Sequence, residues 1–145
     1  MNLTFKNINQ NNWKECIALK VHEYQESFVA SNWYSLLEAK YQGDQNPLAI
    51  YNDEMMIGFL MYGVEPETQR LELCRFMIDK KFQQKGYGRA SLNKLLSLIK
   101  EKYGDIDFYT SAEPDNINTI KLYEDVGFIK TGEVMWGEIV LKIKL

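Results

Sequence analysis

The chain has 145 residues, of which 46% are hydrophobic and 13% aromatic, and its formal net charge is −3. This length predicts one domain, residues 1–145, with a sizeable buried core. The negative charge argues against nucleic acid or an anionic membrane as a partner and is compatible with a cationic ligand. There is no recognisable secretion signal, and Cys16 and Cys74 lie far apart, so we expect free thiols and a cytoplasmic setting. The single histidine, His22, has no companions at ligand spacing, and we expect no metal.

The amino-terminal part of the chain predicts one strand and two helices. Alternating apolar and polar residues from Leu3 to Ile8 predict the strand. The pair Asn11–Asn12 offers a cap for the first helix, and Ser31–Asn32 offers one for a second helix that Gly43 ends. The predicted apolar positions are Trp13, Ile17, Val21, Tyr24 and Phe28 in the first helix, and Trp33, Leu36, Leu37 and Tyr41 in the second.

The middle of the chain predicts a hairpin, a central strand and a long helix. Pro47–Tyr51 and Met55–Val64 flank the turn residues Asn52–Glu54 and read as paired strands. Leu71–Ile78 is mostly apolar and short enough for one buried strand. The helix that follows ends at Gly104, and its apolar stripe consists of Leu92, Leu95, Leu96 and Ile99.

The last part of the chain predicts a strand, a helix and a terminal hairpin. Ile106–Ala112 reads as a strand, Glu113–Asp115 breaks it, and Asn116 opens a helix. Phe128–Thr131 and Ile139–Lys144 read as the hairpin strands, joined through a turn at 136–137. The whole order predicts an α/β (mixed α+β) fold, a mixed sheet with helices on both faces.

A polar loop, Gln83–Ala90, connects the central strand to the long helix. Gly86 and Gly88 let the backbone approach a ligand closely, and the first turn of a helix carries unpaired N–H groups and positive potential. Lys85 and Arg89 add positive charge, so the loop suits a phosphorylated ligand, although a plain tight turn is the alternative. A Walker loop is excluded because an arginine follows Gly88. The dinucleotide-binding fingerprint is excluded because it ends in glycine or alanine, whereas Ser91 stands at that position.

Two blocks of this sequence resemble the GNAT superfamily of N-acetyltransferases. Gln83-x-x-Gly86-x-Gly88, between a strand and a helix, resembles the acetyl-CoA loop of that family. The second block is Asn116-x-x-Thr119-x-x-Leu122-Tyr123-Glu124-x-x-Gly127-Phe128, in which Thr119 stands where the family usually has alanine. The resemblance covers Met55 to Lys130 well, and the two blocks have the order and separation of the family.

The resemblance implies a mostly antiparallel sheet splayed into a cleft for acetyl-CoA as co-substrate, with no metal. It implies that the pantetheine arm lies along the central strand and that the pyrophosphate lies on N–H groups of the loop. The implied cofactor-binding residues are Phe76, Met77, Ile78, Gln83, Gln84, Lys85, Gly86, Tyr87, Gly88, Arg89, Ala90, Asn116 and Tyr123. Tyr123 matches the tyrosine that acts as general acid on the leaving thiolate; the alternative is a tyrosine that only packs on the sheet.

The catalytic base is expected to be Glu72, with a water chain as the alternative. Strand alternation places Glu72 on the same nominal face as Cys74, Phe76 and Ile78, unless a bulge interrupts the strand. A solvated residue at the strand end is the other interpretation of Glu72. Transfer to an amine needs a base because an alkylammonium has a pKa of about 10.

The acceptor amine is expected to be a polyamine. The stretches Gly58–Gly63 (GFLMYG) and Arg75–Asp79 (RFMID) look similar to bacterial spermine/spermidine acetyltransferases. Spaced carboxylates and aromatic faces suit spaced ammonium groups, and the acceptor-binding candidates are Tyr24, Glu26 and Glu72, with Glu23 and Phe28 close by.

Three other functions share these features. The acceptor can be a protein amine or an aminoglycoside or other xenobiotic amine, and an acceptor panel separates these. A CoA-binding sensor without catalysis is the third, which the presence of Tyr123 argues against. The terminal hairpin offers a sheet edge for a homodimer.

Overall fold

The computed structural model of the chain describes residues 1–145. Its strands are β1 (Leu3–Asn7), β2 (Gln45–Asn52), β3 (Met55–Val64), β4 (Leu71–Ile78), β5 (Asp107–Ala112), β6 (Ile129–Met135) and β7 (Glu138–Lys144). Its helices are α1 (Trp13–Ala18), α2 (Asn32–Tyr41), α3 (Tyr87–Tyr103) and α4 (Ile117–Asp125), with 3-10 turns at Glu23–Gln25 and Lys80–Phe82. The order of strands and helices predicted from the sequence is confirmed.

All seven strands form one sheet in the order β1-β2-β3-β4-β5-β7-β6. Neighbouring strands are antiparallel except β4 and β5, which are parallel and joined by α3. On one face, α3 and α4 cover a core of 18 buried residues, and on the other face α1 and α2 cover a cluster of 7. This arrangement confirms the mixed, mostly antiparallel sheet with helices on both faces. Each fully buried leucine of the larger core contributes roughly 1.5–3 kcal/mol.

A bulge in β4 reverses which side chains face which helices. The register of β4 against β3 skips Cys74, which is the extra residue of the bulge. Beyond it, Phe76 and Ile78 pack into the core under α3 and α4, whereas Cys74 packs with the cluster under α1 and α2. The prediction that Glu72, Cys74, Phe76 and Ile78 share one face is therefore wrong, because the extra residue shifts the alternation by one.

The strands β4 and β5 separate immediately after they begin to pair. Their only paired residues are Glu72 with Tyr109 and Leu73 with Thr110. At the point of separation the Thr110 hydroxyl donates to the Leu73 carbonyl at 3.0 Å, in a buried position. The carboxyl-terminal half of β4 therefore has free backbone groups on the side that faces β5, and a gap opens between the strands.

The first helix is much shorter than its apolar pattern predicts. It ends at Ala18, and the chain then runs extended, so the predicted stripe through Phe28 is wrong. The cause is tertiary hydrogen bonding. The Lys20 N–H donates to the Asp79 carboxylate at 2.9 Å, and the Lys20 carbonyl accepts from the Lys80 N–H at 2.7 Å. These bonds hold the backbone away from a helical path and bring residues 19–31 beside the loop that precedes α3.

The second helix begins and ends as predicted but turns a different face inward. Ser31 caps it by accepting from the Tyr34 N–H, and Gly43 follows its end with φ of +56°. The side chain of Asn32 is buried because its amide donates to the Cys16 carbonyl at 2.9 Å and so joins α2 to α1. Three positions predicted to be buried are instead exposed, namely Trp33, Leu37 and Tyr41.

The remaining elements follow the sequence pattern closely. The predicted stripe of α3 is buried, and Gly104 ends the helix with φ of +73°. The terminal hairpin turns at Trp136–Gly137 as predicted, although β6 extends to Met135 and forms an edge of the sheet. Both cysteines are free thiols. None of the helices has the length and apolar character needed to span a membrane.

Candidate active site

A cleft of about 930 Å³ opens where β4 and β5 separate. One end is walled by the carboxyl-terminal half of β4, the loop before α3, and α4. The other end is walled by the segment between α1 and α2, by the turn between β3 and β4, and by the turn between β6 and β7. We call these the loop end and the acidic end of the cleft.

The loop end presents a row of free backbone N–H groups. Gln84 and Gly86 adopt left-handed backbone angles, with φ of +63° and +87°. No backbone N–H from Gln83 to Gly86 donates to a protein acceptor, and the first helical bond runs from Ala90 to the Gly86 carbonyl. The N-terminus of the 17-residue helix α3 adds its dipole. The arrangement is that of an anion-binding site.

The backbone at Gly88 lies close to both walls of the loop end. A Cβ at this position would stand 3.1 Å from the Leu122 Cδ2 atom and 3.9 Å from the Phe76 Cζ atom. Asn116 is the N-cap residue of α4 but makes no capping bond, and its side chain lines the cleft. The glycine therefore keeps a narrow passage open between β4 and α4.

Tyr123 lies on α4, and it lines the cleft on the face of the sheet that α3 and α4 cover. Its side chain is only 5% exposed, and burial raises the pKa of its hydroxyl to about 12, which the nearby Thr110 hydroxyl offsets in part. The negative charges of Glu138 and Glu72 raise the pKa of the hydroxyl further. The phenol is therefore protonated throughout the neutral pH range and can donate a proton into the cleft.

Glu72 reaches the cleft from the opposite face of the sheet. It is 7% exposed and makes neither a hydrogen bond nor an ion pair within 4.0 Å. Burial raises the pKa of its carboxyl to about 7, and the charges of Glu65 and Glu138 add to the shift. Burying a carboxylate without a partner costs free energy, and a carboxyl with a raised pKa in a cleft is a candidate for proton transfer.

Several more carboxylates line the acidic end. Glu65 accepts hydrogen bonds from the N–H groups of residues 67 and 68, and Glu138 accepts one from the Ser111 hydroxyl at 2.6 Å. The carboxylate of Glu38 is already paired with Arg75 at 3.2 Å. The indole of Trp136 borders the same space. An aromatic face beside unpaired carboxylates is suited to an ammonium group.

Most of the site residues predicted from the sequence lie around this one cleft. Those that line it are Glu26, Glu72, Phe76, Met77, Ile78, Gln83, Gln84, Gly86, Gly88, Arg89, Asn116 and Tyr123. Lys85 is exposed outside the lining, and the Tyr87 hydroxyl accepts from the Asn52 amide, away from the cleft. The Ala90 N–H is used within α3. The structure therefore leaves a backbone contribution for Tyr87, a backbone contribution or a charge at a distance for Lys85, and no free N–H for Ala90.

Tyr24 lies outside the cleft, so the structure gives no support to its predicted contact with the acceptor. Its ring is 65% exposed and stacks on His22 with 5.6 Å between the ring centroids. The reason is the 3-10 turn at Glu23–Gln25, which replaces the predicted helix and points the ring to solvent.

The cleft residues that were not predicted as site residues include Gln25, Glu65, Trp136 and Glu138. They come from three separate turns that meet only in the folded sheet. The pairing of β7 with β5 positions the hairpin turn at Trp136, and the Arg70–Glu133 ion pair at 3.0 Å links β6 to the residue before β4. No periodicity or spacing in the sequence indicates such long-range neighbours.

The fold and this cleft define the class of protein. The solved structure of spermidine N-acetyltransferase from Vibrio cholerae, in complex with CoA and spermine, matches with a TM-score of 0.76 and 15% identity. The match covers 99% of this chain and 95% of that chain. The fold is therefore that of an N-acetyltransferase, with the seven-stranded sheet and the separated β4 and β5.

Family membership follows from two further comparisons. The model of the Acetyltransferase (GNAT) family matches residues 9–128. A probable spermine N(1)-acetyltransferase from Bacillus subtilis subsp. natto is 33% identical, and the spermine/spermidine N(1)-acetyltransferase of Bacillus subtilis is 32% identical, each match covering 97% of both chains. The chain belongs to the GNAT family of acetyltransferases, and the resemblance carried by its two sequence blocks is confirmed.

Proposed function

We propose that the protein transfers an acetyl group from acetyl-CoA to a primary amine of a polyamine, spermidine or spermine. The observation that carries the proposal is the buried Glu72 carboxylate, which has no protein partner and faces the cleft near Tyr123. The two Bacillus subtilis relatives support the same acceptor class, since both are named as spermine acetyltransferases.

Acetyl-CoA fits the loop end of the cleft. The free N–H groups from Gln84 to Arg89 would hold the pyrophosphate, and a methyl group at Gly88 would narrow the passage that the cofactor needs. The backbone of Phe76, Met77 and Ile78 faces the gap left by β5 and would bond the pantetheine arm as an added strand does. The co-substrate supplies the thioester whose acetyl group is transferred.

Glu72 and Tyr123 supply the two proton transfers. Glu72, whose pKa is about 7, accepts a proton from the substrate ammonium, so that the amine can attack the thioester carbonyl. Tyr123, whose pKa is about 12, donates its proton to the departing thiolate. The attacking nitrogen loses a second proton as the amide forms, and this proton passes to the Tyr123 phenolate directly or through solvent. Glu72 then releases its proton to solvent, so each turnover sets free one proton.

The acidic end favours a polyamine over an uncharged amine. Glu65 and Glu138 lie near enough to Glu72 to raise its pKa, and each keeps acceptor capacity for a second ammonium group. Trp136 provides an aromatic face, and Glu26 lies on the other wall. A second ammonium group of the substrate, bound at this end, would stabilise the ionised form of Glu72. The ionised carboxylate is the form that can accept a proton from the reacting amine.

An acceptor panel tests this function. Thiol release from acetyl-CoA is measured with spermidine, spermine, a histone-like peptide and an aminoglycoside at equal concentrations. We expect kcat/KM for spermidine or spermine to exceed that of the other acceptors by at least about tenfold. Faster turnover of the peptide or the aminoglycoside would support the acetyltransferase activity but contradict the polyamine as its acceptor. Binding of acetyl-CoA without any turnover would favour the sensor.

A further inference from the structure

The segment between α1 and α2 forms one wall of the acidic end. Hydrogen bonds join this segment directly to the loop that would hold the cofactor phosphates. Two separate links join them. The first is Asp79, whose buried carboxylate accepts from the Lys20 N–H at 2.9 Å and from the Lys81 N–H at 3.0 Å. The Lys80 N–H returns a bond to the Lys20 carbonyl at 2.7 Å. This link fixes the beginning of the wall.

The second link is a pair of reciprocal hydrogen bonds between two glutamine side chains. The Gln25 amide donates to the Gln83 Oε1 atom at 3.1 Å, and the Gln83 amide donates to the Gln25 Oε1 atom at 2.9 Å. The Gln83 amide also donates to the Ile78 carbonyl at 2.9 Å, and Gln25 Oε1 also accepts from the His22 N–H at 3.0 Å. These backbone partners fix the orientation of both amides, because a carbonyl can only accept and an N–H can only donate.

Gln83 thus occupies a special place in the loop. Its backbone begins the row of free N–H groups, while its side chain bonds the end of β4 and the 3-10 turn at Glu23–Gln25. The residues directly after that turn, 26–30, form the wall of the acidic end. Apart from the bonds of the Gln25 side chain, the turn is held by single bonds from the N–H groups of Gln25, Glu26 and Phe28. A change in the conformation of the loop can therefore change the position of residues 26–30, because the Gln83–Gln25 pair connects the two segments.

We infer that Gln25 is a positioning residue that sets the acceptor wall when the phosphate loop is filled. Anion binding would fix the Gln83 backbone, the reciprocal amide pair would then fix the 3-10 turn, and residues 26–30 would take the position that holds the acceptor. The co-substrate and the acceptor then bind with positive coupling, the acceptor more tightly after the co-substrate. The inference rests on the proposed acetyl-CoA site but does not depend on the identity of the amine.

Amide hydrogen exchange with CoA alone tests the coupling without catalysis. In the wild-type protein we expect CoA to slow exchange in the loop 79–90 and, at least about fivefold, at the turn amides of Gln25, Glu26 and Phe28. In Gln25→Leu we expect protection of the loop to remain and protection of the turn to be lost. Gln25→Glu keeps the acceptor for the His22 N–H and for the Gln83 amide, and it should retain most of the protection. Gln10→Leu, at an exposed position outside the cleft, is the matched control.

Steady-state kinetics gives the second readout. Gln25→Leu should raise the KM of the polyamine at saturating acetyl-CoA at least about fivefold and leave the Kd of CoA in the absence of acceptor within about twofold, with partial rescue by Gln25→Glu. Protection confined to the loop in the wild-type protein, or an equal loss of CoA affinity by Gln25→Leu in the absence of acceptor, would overturn the coupling. Failure of the wild-type protein to bind CoA would overturn the proposed function as well. Turnover of an amine other than a polyamine, with the coupling intact, would overturn only the proposed acceptor.

Discussion

Replacement of Glu72 by glutamine is expected to abolish most activity and yet to stabilise the fold at alkaline pH. Burial raises the pKa of this carboxyl from 4.5 to about 7. Since a tenfold change in a proton-binding constant corresponds to about 1.4 kcal/mol, the ionised carboxylate destabilises the folded state by about 3 kcal/mol at about pH 8. Glutamine has nearly the same shape and no charge, so Glu72→Gln removes this penalty.

The stability difference between Glu72→Gln and the wild-type protein should grow as the pH rises. Below about pH 4.5 the carboxyl is protonated in the folded and the unfolded state, and the variant gains almost nothing. As the pH rises through about 7 the wild-type protein loses the stability of the protonated form, and the difference reaches its full size. For a chain of this length, about 3 kcal/mol corresponds to a rise in Tm of roughly 5–10 °C.

Urea unfolding of both proteins at about pH 4.5 and about pH 8 measures this difference. Glu101→Gln, an exposed position on α3, serves as the matched control and should change stability by less than about 0.5 kcal/mol at either pH. Equal stability of the wild type and Glu72→Gln at about pH 8 would refute the reasoning, because it would mean that the carboxylate is compensated within the fold. In the same pair of proteins, kcat/KM should rise through about pH 7 only in the wild type.

Three further substitutions test the two ends of the cleft and the sheet beneath it. Gly88→Ala places a methyl group 3.1 Å from Leu122 and should weaken CoA binding about tenfold by calorimetry, although alanine favours the helix; unchanged affinity would remove the close-approach argument. Trp136→Ala should raise the KM of spermidine about tenfold with the KM of acetyl-CoA unchanged, whereas Trp13→Ala, outside the cleft, should leave both constants as they are. Gly58→Ala brings a Cβ within 2.5 Å of the Met77 carbonyl oxygen and should lower the unfolding free energy by about 1–3 kcal/mol in urea titrations; a smaller loss would mean that β3 and β4 adjust freely.

Local sequence signals were sufficient for the elements that local interactions determine. The stripe of Leu92, Leu95 and Ile99 with Gly104 behind it predicts α3 because helix periodicity and a left-handed end residue are properties of neighbouring residues. The glycines and the position before α3 indicate the loop, and the resemblance to the GNAT family indicates the block around Tyr123; both line the cleft.

The errors arise where contacts between distant segments decide the structure. The α1 pattern continues to Phe28, but hydrogen bonds from Lys20 to the Asp79–Lys80 segment end the helix early. The bulge at Cys74 is invisible in the composition of β4 and changes which residues face the cleft. Trp136 reaches the cleft because β7 pairs with β5 and brings the hairpin turn beside β4, so no short-range signal could identify it.

The most direct test of the account compares the wild-type protein with Tyr123→Phe in thiol release from acetyl-CoA with spermidine. The variant keeps the ring that packs against Phe128, so its fold and CoA affinity should be unchanged. We expect kcat to fall at least about tenfold, equivalent to about 1.4 kcal/mol of lost transition-state stabilisation. Wild-type turnover of spermidine with an equal rate in Tyr123→Phe would contradict the assignment of the acid. Absence of wild-type turnover with spermidine and spermine would contradict the proposed acceptor.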